Sequence, residues 1–427
     1  MKILLLGGGG REHAIAKSIL KSDKCEKLYV MPGNAGTGNI AINIQGSVND
    51  FNAIADIISH HEIDMLIVGP EEPLVLGIYD FMKSKPELKN LKIIGPDKVG
   101  AQLEGSKAWS KTFMQKRDIP TARYRSFSSH QLSEASEFID GFTGPVVLKA
   151  DGLAAGKGVI ITSDKKEAKE VIQSMFEGQF GAAGSTVVVE EFLDGIEFSV
   201  FALTDGHDYI LLPEAKDYKR IGEKDTGLNT GGMGAVSPVS FFDDDMKSKV
   251  ISQIIQPTII GLQEEGAKYV GFIFFGLIKV QGEPFVIEYN CRLGDPETEV
   301  VVPRIQSDLL ELFDAACTGQ LASKHISIDP RTAVTTMAVA GGYPGDYEKG
   351  HEILIPEDSD DNCFFHAGTK DINGKILTNG GRVIAATALA DDLPTAIRTS
   401  QSMVSEIKFQ DKYFRTDIGS DLVKLNN

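Results

Sequence analysis

Between residues 2 and 94 the chain repeats a short apolar strand, a polar or glycine-bearing turn and a helix, and few folds accept that alternation. Residues 2–6, 28–31, 65–68 and 92–94 read as buried strands, with helices from about residue 11 and over 51–60 between them. The pattern predicts a doubly wound parallel sheet. Gly7 to Gly10, Gly33, Gly69 and Gly95 stand just beyond the strands. Flexible backbone therefore gathers at the carboxyl edge, where sheets of this kind bind ligands.

The run Gly7-Gly-Gly-Gly-Arg-Glu-His13 opens a helix whose first N–H groups can meet a phosphate. It departs from a dinucleotide fingerprint at two points. Glu12 occupies the place of the third glycine, and the second strand ends in Met31-Pro32 with no acid for a cofactor ribose. The expectation is a phosphate-binding sheet that does not take a dinucleotide, with a merely tight turn as the alternative and His13 on the helix face.

A second phosphate-binding element follows residues 145–148, which read as a short strand ending at Lys149. Gly152, Gly156, Lys157 and Gly158 then form a flexible turn before the strand resumes at 159–161, as in a hairpin tip folding over a nucleotide. This is no P-loop, since three residues rather than four separate Gly152 from Gly156, and Gly158 rather than Ser or Thr follows Lys157. A metal ion must therefore find its ligands elsewhere. Strand alternation over residues 284–290 puts Glu288 and Asn290 on one face, and their hard oxygens beside a triphosphate suffice for Mg²⁺. A half-exposed polar strand face is the plain alternative.

A chain of 427 residues is too long for one ordinary core and predicts two to four domains. The divisions fall at 1–103, an α/β substrate-binding domain; 104–328, with a small mobile lobe at about 122–190; and 329–427, a C-terminal α+β domain of short strands and tight turns. Forty-three Lys and Arg against 60 Asp and Glu leave a net charge of −17, which argues against broad binding of nucleic acid or anionic membrane. An anionic small molecule must be met by local positive charge. Cys25, Cys291, Cys317 and Cys363 lack metal or disulfide spacing, and the apolar run at residues 3–6 is too short for a signal-peptide core. A cytoplasmic setting is the expectation. Residues 216–238 are long, glycine-rich and unpatterned, and read as a functional or disordered loop in which Lys219 and Arg220 either meet phosphate or stand as a solvated pair.

Seven ordered blocks carry a resemblance over nearly the whole chain: Gly7 to His13, Pro32-Gly-Asn-Ala-Gly36, Val68-Gly-Pro-Glu71, Glu104-Gly-Ser-Lys107, residues 149–159, Asn229-Thr-Gly-Gly-Met-Gly234, and Glu288-Tyr-Asn-Cys-Arg-Leu-Gly-Asp-Pro-Glu-Thr298. Together they resemble the glycinamide ribonucleotide synthetase family of the ATP-grasp superfamily, the phosphoribosylamine–glycine ligases. The resemblance implies an ATP-grasp centre and a reaction of purine synthesis in which glycine is activated as an acyl phosphate and captured by 5-phosphoribosylamine, yielding ADP and phosphate.

It also implies roles. Lys107 and Lys149 neutralise ATP phosphates, Gly152, Gly156, Lys157 and Gly158 cover them, Glu190, Glu191, Phe192 and Leu193 frame adenine, and Glu197 takes the ribose. Glu288 and Asn290 hold Mg²⁺ or Mn²⁺. Arg292 steadies the transferring phosphoryl group, with Lys149 and Asp295 as its catalytic companions. Gly10, Arg11, Asn34 and Glu71 serve the phosphoribosylamine side, while Asp217, Asp295 and Glu297 serve glycine; Lys219 and Arg220 are further substrate-binding candidates. The expected partners are these small molecules, and the expected state is a monomer. Two departures stand out. Residues 275–277 read Phe-Gly-Leu where many ATP-grasp enzymes carry a further metal-binding glutamate, and Tyr218 and Leu228 stand where histidine and proline are expected. A ligase with another acid or amine, and a non-catalytic nucleotide sensor, are the competing readings.

Overall fold

The computed structural model describes every residue except 153–157, 180, 360 and 426–427. Strands β1 (Lys2–Gly7), β2 (Lys27–Pro32), β3 (Ile42–Asn43), β4 (Met65–Val68) and β5 (Lys92–Ile94) form a parallel sheet in the order β3-β2-β1-β4-β5. The chain winds outward from β1 and then crosses back to β4, so the crevice between β1 and β4 is the topological switch point. This is the doubly wound sheet read from the alternation, with the two-residue β3 added at its edge.

Because side chains alternate along a strand, the sheet feeds two cores. Leu4, Leu6, Leu66 and Val68 enter one, and Ile3, Leu5, Met65 and Ile67 the other. Both cores continue into an antiparallel central sheet of β10 (Ile196–Thr204), β11 (Tyr209–Leu211), β16 (Gly271–Val280) and β17 (Glu283–Asn290), ordered β11-β10-β16-β17. Val200, Phe275 and Leu277 join the first, while Phe201, Phe272 and Phe274 join the second. The Gly95 N–H donates to Val270 O at 2.7 Å, joining the end of β5 to the chain entering β16.

The lobe is built differently. Its strands β6 (Tyr124–Ser128), β7 (Val146–Ala150), β8 (Val159–Thr162) and β9 (Thr186–Glu191) are antiparallel in the order β6-β9-β7-β8. They close a core of their own, with Phe127, Leu148, Val187 and Val189 packed against Ile139 and Ile172 of helices Leu132–Asp140 and Lys165–Ser174.

The segment read as an unpatterned loop contributes four strands, β12 (Lys216–Asp217), β13 (Arg220–Gly222), β14 (Thr226–Asn229) and β15 (Gly234–Ser237). β13 and β14 pair as a hairpin. β12 and β15 enter a sheet with β18 (Thr332–Val339), β19 (Asn362–His366) and β22 (Arg382–Ala390), ordered β12-β15-β18-β22-β19. That sheet crosses the division expected at 328/329. Its organising contact is long-range, with Gly234 to Ser237 running antiparallel to Thr336 to Ala333. No local periodicity signals such a pairing. A hairpin of β20 (Thr369–Ile372) and β21 (Lys375–Thr378) and the helix Leu393–Glu406, capped by Asp392, complete this region. Among the described residues no helix is long and apolar enough to cross a membrane.

Candidate active site

The turn after β1 is shaped by Glu12. Gly9 caps the helix Gly10–Ile19 and donates its N–H to Glu12 Oε2 at 2.7 Å. Gly7 has φ 121°, and a Cβ there would lie 2.5 Å from Glu12 Cδ, so glycine is what lets the carboxylate fold under the turn. Arg11 is buried, its Nε donating to Glu12 Oε1 at 2.6 Å and Nη1 to Leu293 O at 3.0 Å, while its backbone N–H meets Asp295 Oδ2 at 3.2 Å. Gly10 lies against Glu299, whose Oε1 would be 2.2 Å from an added Cβ.

Asn34 caps the helix Ala35–Ile40 by accepting the Thr37 N–H at 2.9 Å, and donates to Gly8 O at 3.0 Å and His366 O at 2.7 Å. Its side chain stitches three segments together at the site's edge. His13 is buried at the contact with β19, where Nδ1 accepts the His366 N–H at 2.9 Å and burial lowers its proton affinity well below the usual range.

Arg292 lies at the junction of the N-terminal and central sheets. Its Nη2 is 2.8 Å from Glu104 Oε1 and its Nε 3.4 Å from Glu71 Oε2. Glu104 also accepts the Cys291 N–H at 2.9 Å. Burial, reinforced by Glu104, pushes the Cys291 thiol well above its usual range, so this cysteine stays protonated. Asp295 faces Arg382, with Nη2 to Oδ1 at 2.9 Å, and Arg382 Nη1 also donates to Asp295 O at 2.7 Å and Gly231 O at 2.6 Å. Arg382, at the start of β22, was not found from sequence. Its one signal there was an arginine following paired glycines. Glu297 and Glu299 are buried, and burial raises both carboxyls. Neither oxygen of Glu299 has a hydrogen-bond partner among the described residues.

Across the cleft, the buried Lys149 extends from β7 with Nζ 3.1 Å from Glu190 Oε1 and 3.1 Å from Ile287 O, the residue preceding Glu288. The lysine of the lobe and the acid of β17 therefore share one cleft. Glu190 is also gripped by Lys111 at 2.9 Å. Burial would raise the Glu190 carboxyl, but Lys149 and Lys111 outweigh it and hold the group below its usual range. Lys111, also missed from sequence, belongs to the helix Lys107–Lys116, and burial pushes its ammonium down to about 8. Lys107 Nζ donates to Gly152 O at 2.8 Å; burial lowers its affinity for the proton, opposed by nearby Glu288. Asp151 accepts from Ser106 Oγ at 3.1 Å and from the Ala108 N–H at 3.1 Å, which ties the end of β7 to the start of that helix. Gly158 is buried beside β8, and its carbonyl accepts the Ala150 N–H at 2.8 Å. Gly156 and Lys157 lie outside the described residues.

Glu191 accepts the Arg123 N–H at 2.7 Å, and Phe192 and Leu193 lead from the lobe into β10 with Phe192 exposed. Glu197, Asp217, Lys219 and Glu288 line one pocket with Ser199 and Gly276. Lys219 Nζ is 3.0 Å from Glu197 Oε2, and Asp217 above all holds the Lys219 ammonium well above its usual range. Arg220 instead donates to Gly227 O at 2.9 Å inside its own hairpin. Leu228 is exposed in that hairpin, and Tyr218 is buried beneath it.

The register of β17 shifts by a bulge at Ile287, after which Tyr289 and Cys291 face the core and Glu288 and Asn290 face the cleft. Gly276 pairs with Glu288, and a Cβ on it would meet Glu288 Cγ at 3.0 Å, so the missing second acid leaves room for the one present. Among the described residues no hydrogen bond engages the side-chain oxygens of Glu288 or Asn290, and no cluster of three His, Cys, Asp or Glu could hold a metal ion alone. A carboxylate and an amide with free hard oxygens beside two lysines fit a divalent cation that completes its shell with phosphate and water.

Residues 1–104, 105–298 and 333–421 match the N domain, the ATP-grasp (A) domain and the C domain of phosphoribosylglycinamide synthetase. The chain is 43% identical over 425 residues to phosphoribosylamine–glycine ligase of Vibrio cholerae, covering 98% of both chains. It is 44% identical over 426 residues to a bifunctional purine biosynthetic protein of Pichia angusta, covering 98% of this chain and 53% of that one, so it spans about half of that relative. A crystal structure of phosphoribosylamine–glycine ligase from Thermotoga maritima is similar with TM-score 0.86 at 35% identity, covering 98% of this chain and 100% of the other.

Proposed function

Because the chain belongs to the phosphoribosylglycinamide synthetase family, we propose that it is an ATP-dependent ligase of purine synthesis joining glycine to 5-phosphoribosylamine. The observation that carries the reading is the Lys149 contact to Ile287 O at 3.1 Å, which brings the phosphate-binding lysine of the lobe against the strand of Glu288 and Asn290. A triphosphate between them meets positive charge from one side and metal-binding oxygens from the other.

A carboxylate is a poor electrophile and must be activated. A glycine carboxylate oxygen bonds to the γ-phosphorus as the bond to the β-phosphate oxygen breaks, giving glycyl phosphate and ADP. The sugar amine then bonds to the acyl carbon, the C–O bond to phosphate breaks, and the proton lost by nitrogen leaves on hydrogen phosphate. Lys107, Lys149 and Arg292 offset the charge on the moving phosphoryl group, so catalysis is positioning and neutralisation without an enzyme nucleophile. Glu288 and Asn290 would hold Mg²⁺ or Mn²⁺, which supplies further charge neutralisation at the phosphate oxygens.

Glu190, Glu191, Phe192 and Leu193 border adenine, Glu197 the ribose, and Gly152 and Gly158 the phosphates. Gly10, Arg11, Asn34 and Glu71 border the phosphoribosylamine. Asp217, Lys219, Asp295 and Glu297 border glycine, with Arg220 holding its hairpin. An ADP-release assay with each substrate omitted in turn tests the reading: release should require ATP, glycine and phosphoribosylamine together. Full ATP consumption without glycine or the sugar amine would refute it, and turnover with a different acid would redirect it to a sister ligase.

A further inference from the structure

The pocket-lining residues Asp217 and Lys219 flank Tyr218, and extended backbone turns successive side chains to opposite sides. Tyr218 is 2% exposed and points away from the cleft, its ring in an apolar cluster with Met233, Val236, Ile418 and Leu422 and its hydroxyl among polar groups at the end of the chain. Its hydroxyl donates to Asp421 Oδ1 at 2.5 Å, and Asp421 Oδ2 lies 3.1 Å from Lys216 Nζ. Lys216 in turn sits 3.8 Å above the Tyr218 ring. Asp421 thus holds both inward side chains of the 216–218 run.

The same stretch of chain grips the following hairpin. Arg415 is 1% exposed, and its guanidinium reaches Asp225 Oδ1 at 2.8 Å, Arg220 O at 3.0 Å and both oxygens of Asp417 at 2.8 Å. Asp417 Oδ2 accepts the Lys224 N–H at 2.7 Å. A buried arginine with three partners and a tyrosine sharing its acid with a lysine exceed what a surface loop needs to be covered.

We propose that Tyr218 and Asp421 are positioning residues that, with Arg415, fix Asp217 and Lys219 in the pocket they share with Glu197 and Glu288. The inference rests on the reading that Asp217 and Lys219 border glycine. Neither Tyr218 nor Asp421 touches substrate; each acts through the backbone on which the cleft residues are carried.

The test uses the full chain with Tyr218→Phe, Asp421→Asn and the double variant, reading KM for glycine, KM for ATP and amide hydrogen exchange over residues 216–230. Each single variant should raise KM for glycine roughly tenfold, the scale expected for losing a hydrogen bond to a charged group. KM for ATP should rise by a few-fold at most, through the Lys219 ion pair with Glu197, exchange should accelerate in 216–230 alone, and the double variant should lose little more than either single one. Tyr218→Phe keeps the ring under Lys216 and so separates loss of the anchor from loss of packing. Unchanged KM for glycine, with or without faster exchange, overturns the proposal. So does an equal rise in both KM values with exchange accelerated throughout, since that marks a general structural role. A wild-type protein that forms no ADP with glycine and the sugar amine would refute the functional reading itself, whereas a working wild type with unaffected variants refutes only the anchor.

Discussion

The N-terminal sheet and the four-stranded lobe both meet the central sheet, yet they are held in opposite ways. Both faces of the N-terminal sheet share cores with the central sheet, whereas the lobe keeps its apolar residues to itself. Its described polar ties to the body gather at a few contacts, among them Lys149 to Ile287 O, Lys111 on Glu190, Lys107 on Gly152 O, Tyr124 on Gln115, and Asp151 at the start of the helix Lys107–Lys116. A region with its own core can rotate as a unit without opening apolar surface, and a region with shared cores cannot. The contrast teaches that the lobe is tied to the body by polar contacts and the N-terminal sheet by shared apolar cores.

The largest expected effect sharpens the fixed side of this comparison. Glu288→Ala should lower kcat by ~10²–10³-fold, as for loss of one group stabilising transition-state charge, while circular dichroism and thermal unfolding stay near wild type. Near-normal turnover at limiting Mg²⁺ would remove Glu288 from the metal site. Next, Leu148→Ala in the lobe core should cost ~2–5 kcal/mol, seen as faster amide exchange in residues 124–191 with the N-terminal strands still protected. Leu5→Ala, in a shared core, should loosen both the N-terminal and central sheets at similar cost. Equal exchange everywhere in the Leu148 variant would break the comparison.

A smaller loss, about tenfold in kcat/KM, is expected for Arg382→Ala, since Asp295 would lose its ion-pair partner and the C-terminal sheet its hold on residues 231 and 295. Steady-state kinetics with phosphoribosylamine varied would measure it, and an unchanged value would separate the C-terminal sheet from the chemistry. The smallest effect is a pH dependence. As pH rises through about 8, Lys111 loses its proton, Glu190 is left to Lys149, and positive charge leaves the nucleotide site. KM for ATP should therefore climb a few-fold above that pH. Lys111→Met should show the high value at every pH, and an inflection that survives this substitution would assign it to another group.

What could be read from the sequence depended on distance along the chain. β1, β2, β4 and β5 announced themselves because their alternation and flanking glycines are local, and the pairing of Glu288 with Asn290 needed only two residues of strand. β12 to β15 were illegible because β15 finds its partner in β18, nearly a hundred residues further on, and glycine and threonine carry little apolar pattern. Arg382 was missed for the same reason: the Asp295 carbonyl it holds lies 87 residues away. Lys111 left a faint trace, a lysine beside the buried positions Ser110, Phe113 and Met114 of an amphipathic helix. Glu104 stood inside a quoted motif, but its grip on Arg292 and Cys291 needed the fold.

The sheet ordered β12-β15-β18-β22-β19 has a practical consequence for anyone dividing this protein. A fragment stopping at residue 328 would expose the ladder edge of β15 to water and to other copies, an invitation to aggregation. Its complement would start with a three-stranded sheet lacking two neighbours. Complementation between halves should therefore succeed only when the break spares residues 216–237 and β18 in the same piece, which makes the last hundred residues a poor module to borrow or discard alone.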